Sequence, residues 1–353
     1  VLDATGNNNI TFANTIVANA SARNLSVDAG TAIVQFANTV GVNGGQAMGA
    51  LVITGQLDAN NTIDAASMTV SGASNLANTV TTSGIQTYTG QLTLSAGTTN
   101  RIDASIATFT AGITGAGKNL DINGNFVNDG AISGVLVLDI SGTSDIGANI
   151  TTTGTQDYNG AVTVSADAVL DATGNNNITF ANTIVAAGGA RGLSVDAGTA
   201  TVQFANTVGT NGGQAMGAIV ITGALDANNT IDATSMTVSG ASNLANTVIT
   251  SGIQTYTGQL TLSAGTTNRI DASIATFTAG ITGAGKNLDI NGNFVNDGAI
   301  SGVLVLDISG TSDIGANITT TGTQDYNGAV TVSADAVLDA TGNNNITFAN
   351  TIV

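Results

Sequence analysis

VLDATGNNNITFANTIV opens the chain at residues 1–17, returns unchanged at 169–185 and begins again at 337–353. The sequence between is copied too: residues 169–336 repeat residues 1–168 with ten substitutions, all between 19 and 81. Such periodicity predicts a repeat architecture, in which each unit is completed by its neighbours. It weighs against an enzyme, because an active site seldom recurs unchanged along one chain. The parse is repeat copy 1 at 1–168, copy 2 at 169–336 and the start of copy 3 at 337–353, within one continuous solenoid. Val1 falls in mid-pattern and the last copy is partial, so the chain reads as a window on a longer array, its targeting and anchoring parts elsewhere.

Outward from that stretch, the composition is as skewed as the motif. There are 46 Gly and no Pro, Cys, His or Trp; all 23 acidic residues are Asp, and Lys118 and Lys286 are the two lysines. Helix formers such as Glu, Lys and Arg are scarce, while Asp, Asn, Gly, Ser and Thr favour turns. Val, Ile and Thr suit short strands. A net charge of −17 with six cations excludes neutralisation of a phosphate backbone, hence nucleic-acid binding, and disfavours anionic lipid. No apolar run approaches the roughly 20 residues of a membrane helix, so direct membrane insertion is not expected. With 42% hydrophobic residues the chain is not disordered. The absence of cysteine removes disulfide and thiolate chemistry and leaves the compartment open.

Within one copy, alternating strands end in small-residue turns at LSVDAG (25–30), LVITG (51–55), MTVSG (68–72), LTLSAG (92–97), LDING (120–124), LDISG (138–142) and VTVSADA (162–168). A second strand type lies between them, as in ITFANTIV (10–17) and IVQFANTV (33–40). SGIQTYTGQLTLSA (83–96) is echoed by TGTQDYNGAVTVSA (153–166), 70 residues on. Sandwich domains carry more aromatics than the 4% here and need longer connections. Segments of roughly 20 residues are too short for a core of their own, but stacked coils share one. The expected fold is all-β: a parallel right-handed β-solenoid of short coils. Seventeen or so coils at ~4.8 Å per strand would span about 80 Å.

That fold makes residue choices intelligible. Val, Ile, Leu and Phe would stack inward; Asn7, Asn8 and Asn9 would sit at a corner, tolerating left-handed backbone and forming side-chain ladders. Proline would break a ladder bonded on both sides. The changes Ile33 to Thr201, Val42 to Thr210 and Thr81 to Ile249 keep β-branching and suggest outward positions.

TTSGIQTYTGQLTLSAGTT (81–99), TTTGTQDYNGAVTVSADAVLDATG (151–174) and ITFANTIV resemble the β-strand repeats of filamentous-haemagglutinin-like adhesins and related autotransporter passenger arrays. The resemblance implies a long right-handed β-helix exported to the extracellular bacterial cell surface for attachment, biofilm or coating. It implies partners of two kinds, further repeats or copies of the same chain in a fibre, and host or surface glycans. The amino-terminal secretion domain and carboxy-terminal membrane barrel of that group have no counterpart here.

No residue is assigned a catalytic, cofactor-binding or metal-ligating role, and no cofactor is expected. Tyr88, Tyr158, Tyr256 and Tyr326, in Q-x-Y-x-G, could stack on sugars or cover a coil edge with the hydroxyl at the surface; the second reading is preferred. Asp58, Asp64, Asp121 and Asp129 could ligate Ca²⁺, but match no calcium loop and read as turn-forming, solubilising carboxylates. Arg101 and Asp103 share a strand face as a surface pair. GAGK (115–118) lacks Walker spacing and a following helix. Three functions compete: a structural shaft, direct binding of glycans or ice, and polysaccharide cleavage, the last lacking any Lys, Arg or His cluster. For ice, uneven coil lengths predict a poor lattice match.

Overall fold

A computed structural model describes residues 1–42, 46–95, 97–210, 214–263 and 265–353. It is all-β without helix, wound as a parallel β-solenoid of about 16 turns. The chain falls into two compact units, Val1–Gly174 and Asn175–Val353.

In the first unit each coil contributes a short strand to each of three faces, A, B and C, in that order. Face A stacks Ser26, Val52, Thr69, Thr87, Thr108, Val127, Asp145 and Thr163 in parallel register. Face B stacks Gln35, Asp58, Asn75, Thr93, Thr114 and Ser133. On face C the column is Ile63, Val80, Ile102, Ile122, Ile140 and Tyr158. Strands such as Leu25–Phe36 and Thr99–Phe109 serve two faces, and their register slips between Asp28 and Ile33 and between Asp103 and Ile106, where the chain rounds a corner.

The alternation in sequence becomes an inside and an outside. Val27, Ile53, Val70, Tyr88 and Phe109 form one buried column behind face A, each at most 1% exposed. Each such aliphatic or aromatic side chain contributes about 1.5–3 kcal/mol on burial, and every coil covers the next. The second unit repeats the pattern: face A runs Ser194, Val220, Thr237, Thr255, Thr276 and Val295, face B runs Gln203, Asp226, Asn243, Thr261 and Thr282.

Coil length varies without disturbing register. Successive face A partners stand at 52, 69, 87, 108 and 127, steps of 17 to 21 residues, yet each pairs with the next. The extra residues are taken up at corners. The strand phrases therefore count strands, not coils: LVITG and MTVSG lie on face A, LTLSAG on B, LDING and LDISG on C, which is why their spacing wanders.

Corners are made by Asn and Gly. Asn7, Asn175 and Asn343 adopt left-handed φ of 57°, 56° and 62°. Asn7 and Asn9 do not ladder with other Asn; their Oδ1 atoms accept from Thr31 and Ile33 backbone N–H of the next coil, both at 3.1 Å. Between faces A and B, glycines stack so closely that a Cβ on Gly72 would strike the Gly55 carbonyl, and one on Gly90 the Gly72 backbone. The copy differences behave as expected: Ile33, Thr201, Thr81 and Ile249 are half-buried and Val42 and Thr210 exposed, whereas Leu51 to Ile219 is a buried swap of equal volume.

Candidate functional site

The Q-x-Y motifs are interior. Tyr88, Tyr158, Tyr256 and Tyr326 are 0–1% exposed, so neither sugar stacking nor a surface hydroxyl applies. Each phenol donates to the Gln two residues earlier, at 2.8 Å for Tyr88 to Gln86 and 2.9 Å for the pairs Tyr158–Gln156, Tyr256–Gln254 and Tyr326–Gln324. The Gln86 amide donates to Val80 O (3.1 Å), Thr82 Oγ1 (3.3 Å) and, in the next coil, Asp103 O (2.8 Å). Thr82 in turn donates to Gly84 O at 2.9 Å. The side chains satisfy one another, as a buried polar group requires. Tyr88, Tyr256 and Tyr326 lie parallel on Phe109, Phe277 and Phe348, centroids 5.1–5.3 Å apart. Burial drives all four phenols well above the ordinary tyrosine range. The signal for this was parity: Thr82, Gln86 and Tyr88 fall on the same alternating positions as the apolar residues around them.

The outward columns differ in character. On face C, Arg101 Nε meets Asp103 at 2.6 Å, the surface pair the sequence predicts, and Nη1 reaches Asp121 at 3.5 Å. Below it Asp121, Asp139 and Asp157 stack in register, and Asp289, Asp307 and Asp325 do so in the second unit. Asp121 is raised above the usual carboxylate range, first by burial and then by Asp139 and Asp103, against the lowering effect of Arg101. Asn159 donates to Asp139 at 2.8 Å, and Thr155 to Asp157 at 3.2 Å.

Face B carries an open groove in each unit, of 440 Å³ beside Asp58, Asn75 and Thr93 and 450 Å³ beside Asp226, Asn243 and Thr261. Gln35 and Asn75 donate to the two oxygens of Asp58 at 2.9 and 3.1 Å. Two of the ten substitutions, Ile33 to Thr201 and Gln56 to Ala224, line these grooves. Asp58, Asp64 and Asp121 thus belong to strands and are not turn residues; Asp129 alone of the four follows a strand end. Asp58 and Asp121 are met there by neighbouring side chains, which turn propensity does not reveal, whereas Asp64 Oδ2 is buried without a partner. Among the described residues no group of three or more Asp is placed to hold a metal ion. GAGK is a tight turn, with Ala116 at φ 49° and Lys118 N–H donating to Gly115 O at 2.9 Å. Among the described residues no helix is long and apolar enough to cross a membrane.

Neither family models, curated proteins nor solved structures contain a match to this chain.

Proposed function

We propose that the chain is a structural repeat segment of a secreted bacterial cell-surface fibre or adhesin, serving outside the cell as a stiff stalk or filament shaft in attachment, biofilm or surface coating. The observation that carries this reading is the unbroken parallel register from coil to coil within each unit, with the same pattern copied at an offset of 168 residues. Length is then a function of copy number, the property a spacer needs. The resemblance of TTSGIQTYTGQLTLSAGTT to surface-array repeats supplies the setting, and further repeats or copies of the chain are the partners it suggests. Immunogold labelling of intact, unpermeabilised cells tests the setting: label on projecting fibres is expected, and label confined to the cell interior refutes it. Deleting 169–336 should shorten those fibres and leave the remaining coils folded, since Val52 and Val220 occupy the same face A position. Unchanged fibre length after that deletion counts against the shaft.

Glycan binding along face B is a second reading. It is favoured by the Gln35–Asp58–Asn75 bonding pattern, kept in the second unit as Gln203 and Asn243 donating to Asp226 at 3.1 and 3.0 Å. A glycan array probed with wild type and Asp58→Ala/Asp226→Ala decides it.

A further inference from the structure

Face A carries a long uncharged run whose threonine hydroxyls, among the described residues, bond to no other side chain. Of its two rows, Asn125 and Asn293 at the end of the second accept from the Thr143 and Thr311 backbone N–H at 2.9 and 3.0 Å. From Val52 through Thr69, Thr87 and Thr108 to Val127, one outward residue per coil pairs with the next in unbroken register. A second outward row lies beside it: Ala50 pairs with Ser67, and Ile85 with Ile106, which pairs with Asn125. The second unit repeats both rows, with Val220, Thr237, Thr255, Thr276 and Val295 beside Ala218, Ser235, Ile253, Ile274 and Asn293.

We propose that this two-row face is an ice-binding surface, an activity distinct from the shaft reading and independent of it. Strands ~4.8 Å apart, with outward residues every second position at ~6.8 Å along each strand, set these side chains on a regular two-dimensional lattice, the kind of surface an ordered water layer can match. The irregular coil lengths do not spoil it, because the corners absorb them. Ile85 and Ile106 are 49% and 38% exposed, Ile253 and Ile274 49% and 39%, so bulky apolar side chains stand in solvent beside hydroxyls. The hydroxyls of Thr69, Thr87 and Thr108 are engaged with no other described residue, unlike the bonded side chains of Gln35, Asp58 and Asn75 on face B. Methyl and sec-butyl groups order the water over them, and free hydroxyls fix that water in place.

Charge points the same way. The chain carries −17, yet neither row holds an ionisable group from Ala50 to Val127. A neutral occupant matches such a surface, and an ion-paired protein partner or an acidic glycan does not. Ice is neutral, flat and periodic.

The experiment uses the full chain with ice as the probe, reading recrystallisation inhibition and adsorption of the fluorescently labelled protein to a growing ice surface. Wild type is expected to inhibit and adsorb. Thr87→Lys/Thr255→Lys should lose both, while Thr93→Lys/Thr261→Lys, the same change on face B, should keep both. Circular dichroism on each variant confirms the solenoid, and Thr87→Val/Thr255→Val provides a shape-conserving variant expected to fold and to weaken adsorption. Absence of both activities in wild type overturns the proposal, as does equal loss in the face B variant. Dissociation of an oligomer by the face A change, or loss of glycan-array binding with no ice activity, also overturns it by assigning the face to another occupant. None of these results bears on cell-surface labelling, so the shaft reading stands or falls separately.

Discussion

The corner at 250–256 and the corner at 320–326 are built from the same parts on different faces. In the first, Thr250 ends a face C strand, and Gln254 and Tyr256 begin face A; in the second, Thr320 ends face B, and Gln324 and Tyr326 begin face C. Gln254 reaches Asp271 O in the next coil at 2.8 Å, and Gln324 reaches Asp339 O at 2.9 Å, although the two spans differ by two residues. The 70-residue echo is therefore a portable corner placed three coils and two faces further along. What changes is the residue between Gln and Tyr, which points outward: Thr255 joins the neutral rows of face A, and Asp325 joins the stacked carboxylates of face C. The interior half of the motif is fixed by the corner, the exterior half by the face.

Alkali attacks both corners most severely. A neutral phenol is retained in the fold while the unfolded chain releases its proton, so the contribution is intact below about pH 10 and falls as pH rises beyond it. Tyrosinate absorbance should appear together with loss of β circular dichroism, equally for both corner types; titration of any of the four while the fold persists breaks the equivalence. Next in size, Tyr256→Ala and Tyr326→Ala should each cost about 3–5 kcal/mol. Because coils can open locally, hydrogen exchange at the adjoining strands is the proper readout, and unequal losses would mark one corner as dispensable.

Gln254→Leu and Gln324→Leu should each cost about 1–3 kcal/mol, because inside the core the phenol loses its acceptor and a carbonyl of the next coil loses the amide donor, while Thr250 and Thr320 keep their bonds to Gly252 O and Gly322 O. A smaller effect sharpens the exterior half: Thr255→Asp, placing a charge between Thr237 and Thr276, should change stability by about 1 kcal/mol or less. The smallest concerns the acid row. Asp289 is raised by burial first and by Asp307, with Arg269 opposing. A folded value above the unfolded one means stability gained as pH falls through about 4 and lost as pH rises. Asp307→Asn should blunt that gain, seen as a flatter dependence of the denaturation midpoint on pH.

Much of this fold was legible. The copied 168-residue stretch, the strand-forming composition and the missing proline point to stacked coils, and Arg101 beside Asp103 follows from spacing alone. Other features depend on the third dimension. LTLSAG and LDING look like successive turns of one repeat, yet they lie on different faces, since a strand phrase carries no mark of which side it serves. The tyrosines read as surface residues because a hydroxyl was weighed alone, when Gln86 two positions earlier was its partner. Uneven coil length reads in the sequence as a poor lattice match, because a sequence does not reveal that the surplus residues sit at corners while successive face A strands keep their register.

The bonds that join coils have a mechanical meaning. Within each unit they point from one coil to the next, so a pull along the stacking direction strains them head-on, and the outermost coil yields before those behind it. Peeling the 18-residue step from Thr69 to Thr87 frees about 60 Å of slack at ~3.3–3.6 Å per residue. Under load such bonds would open coil by coil, so extension would come in steps of about one coil's contour length and not as a single rupture.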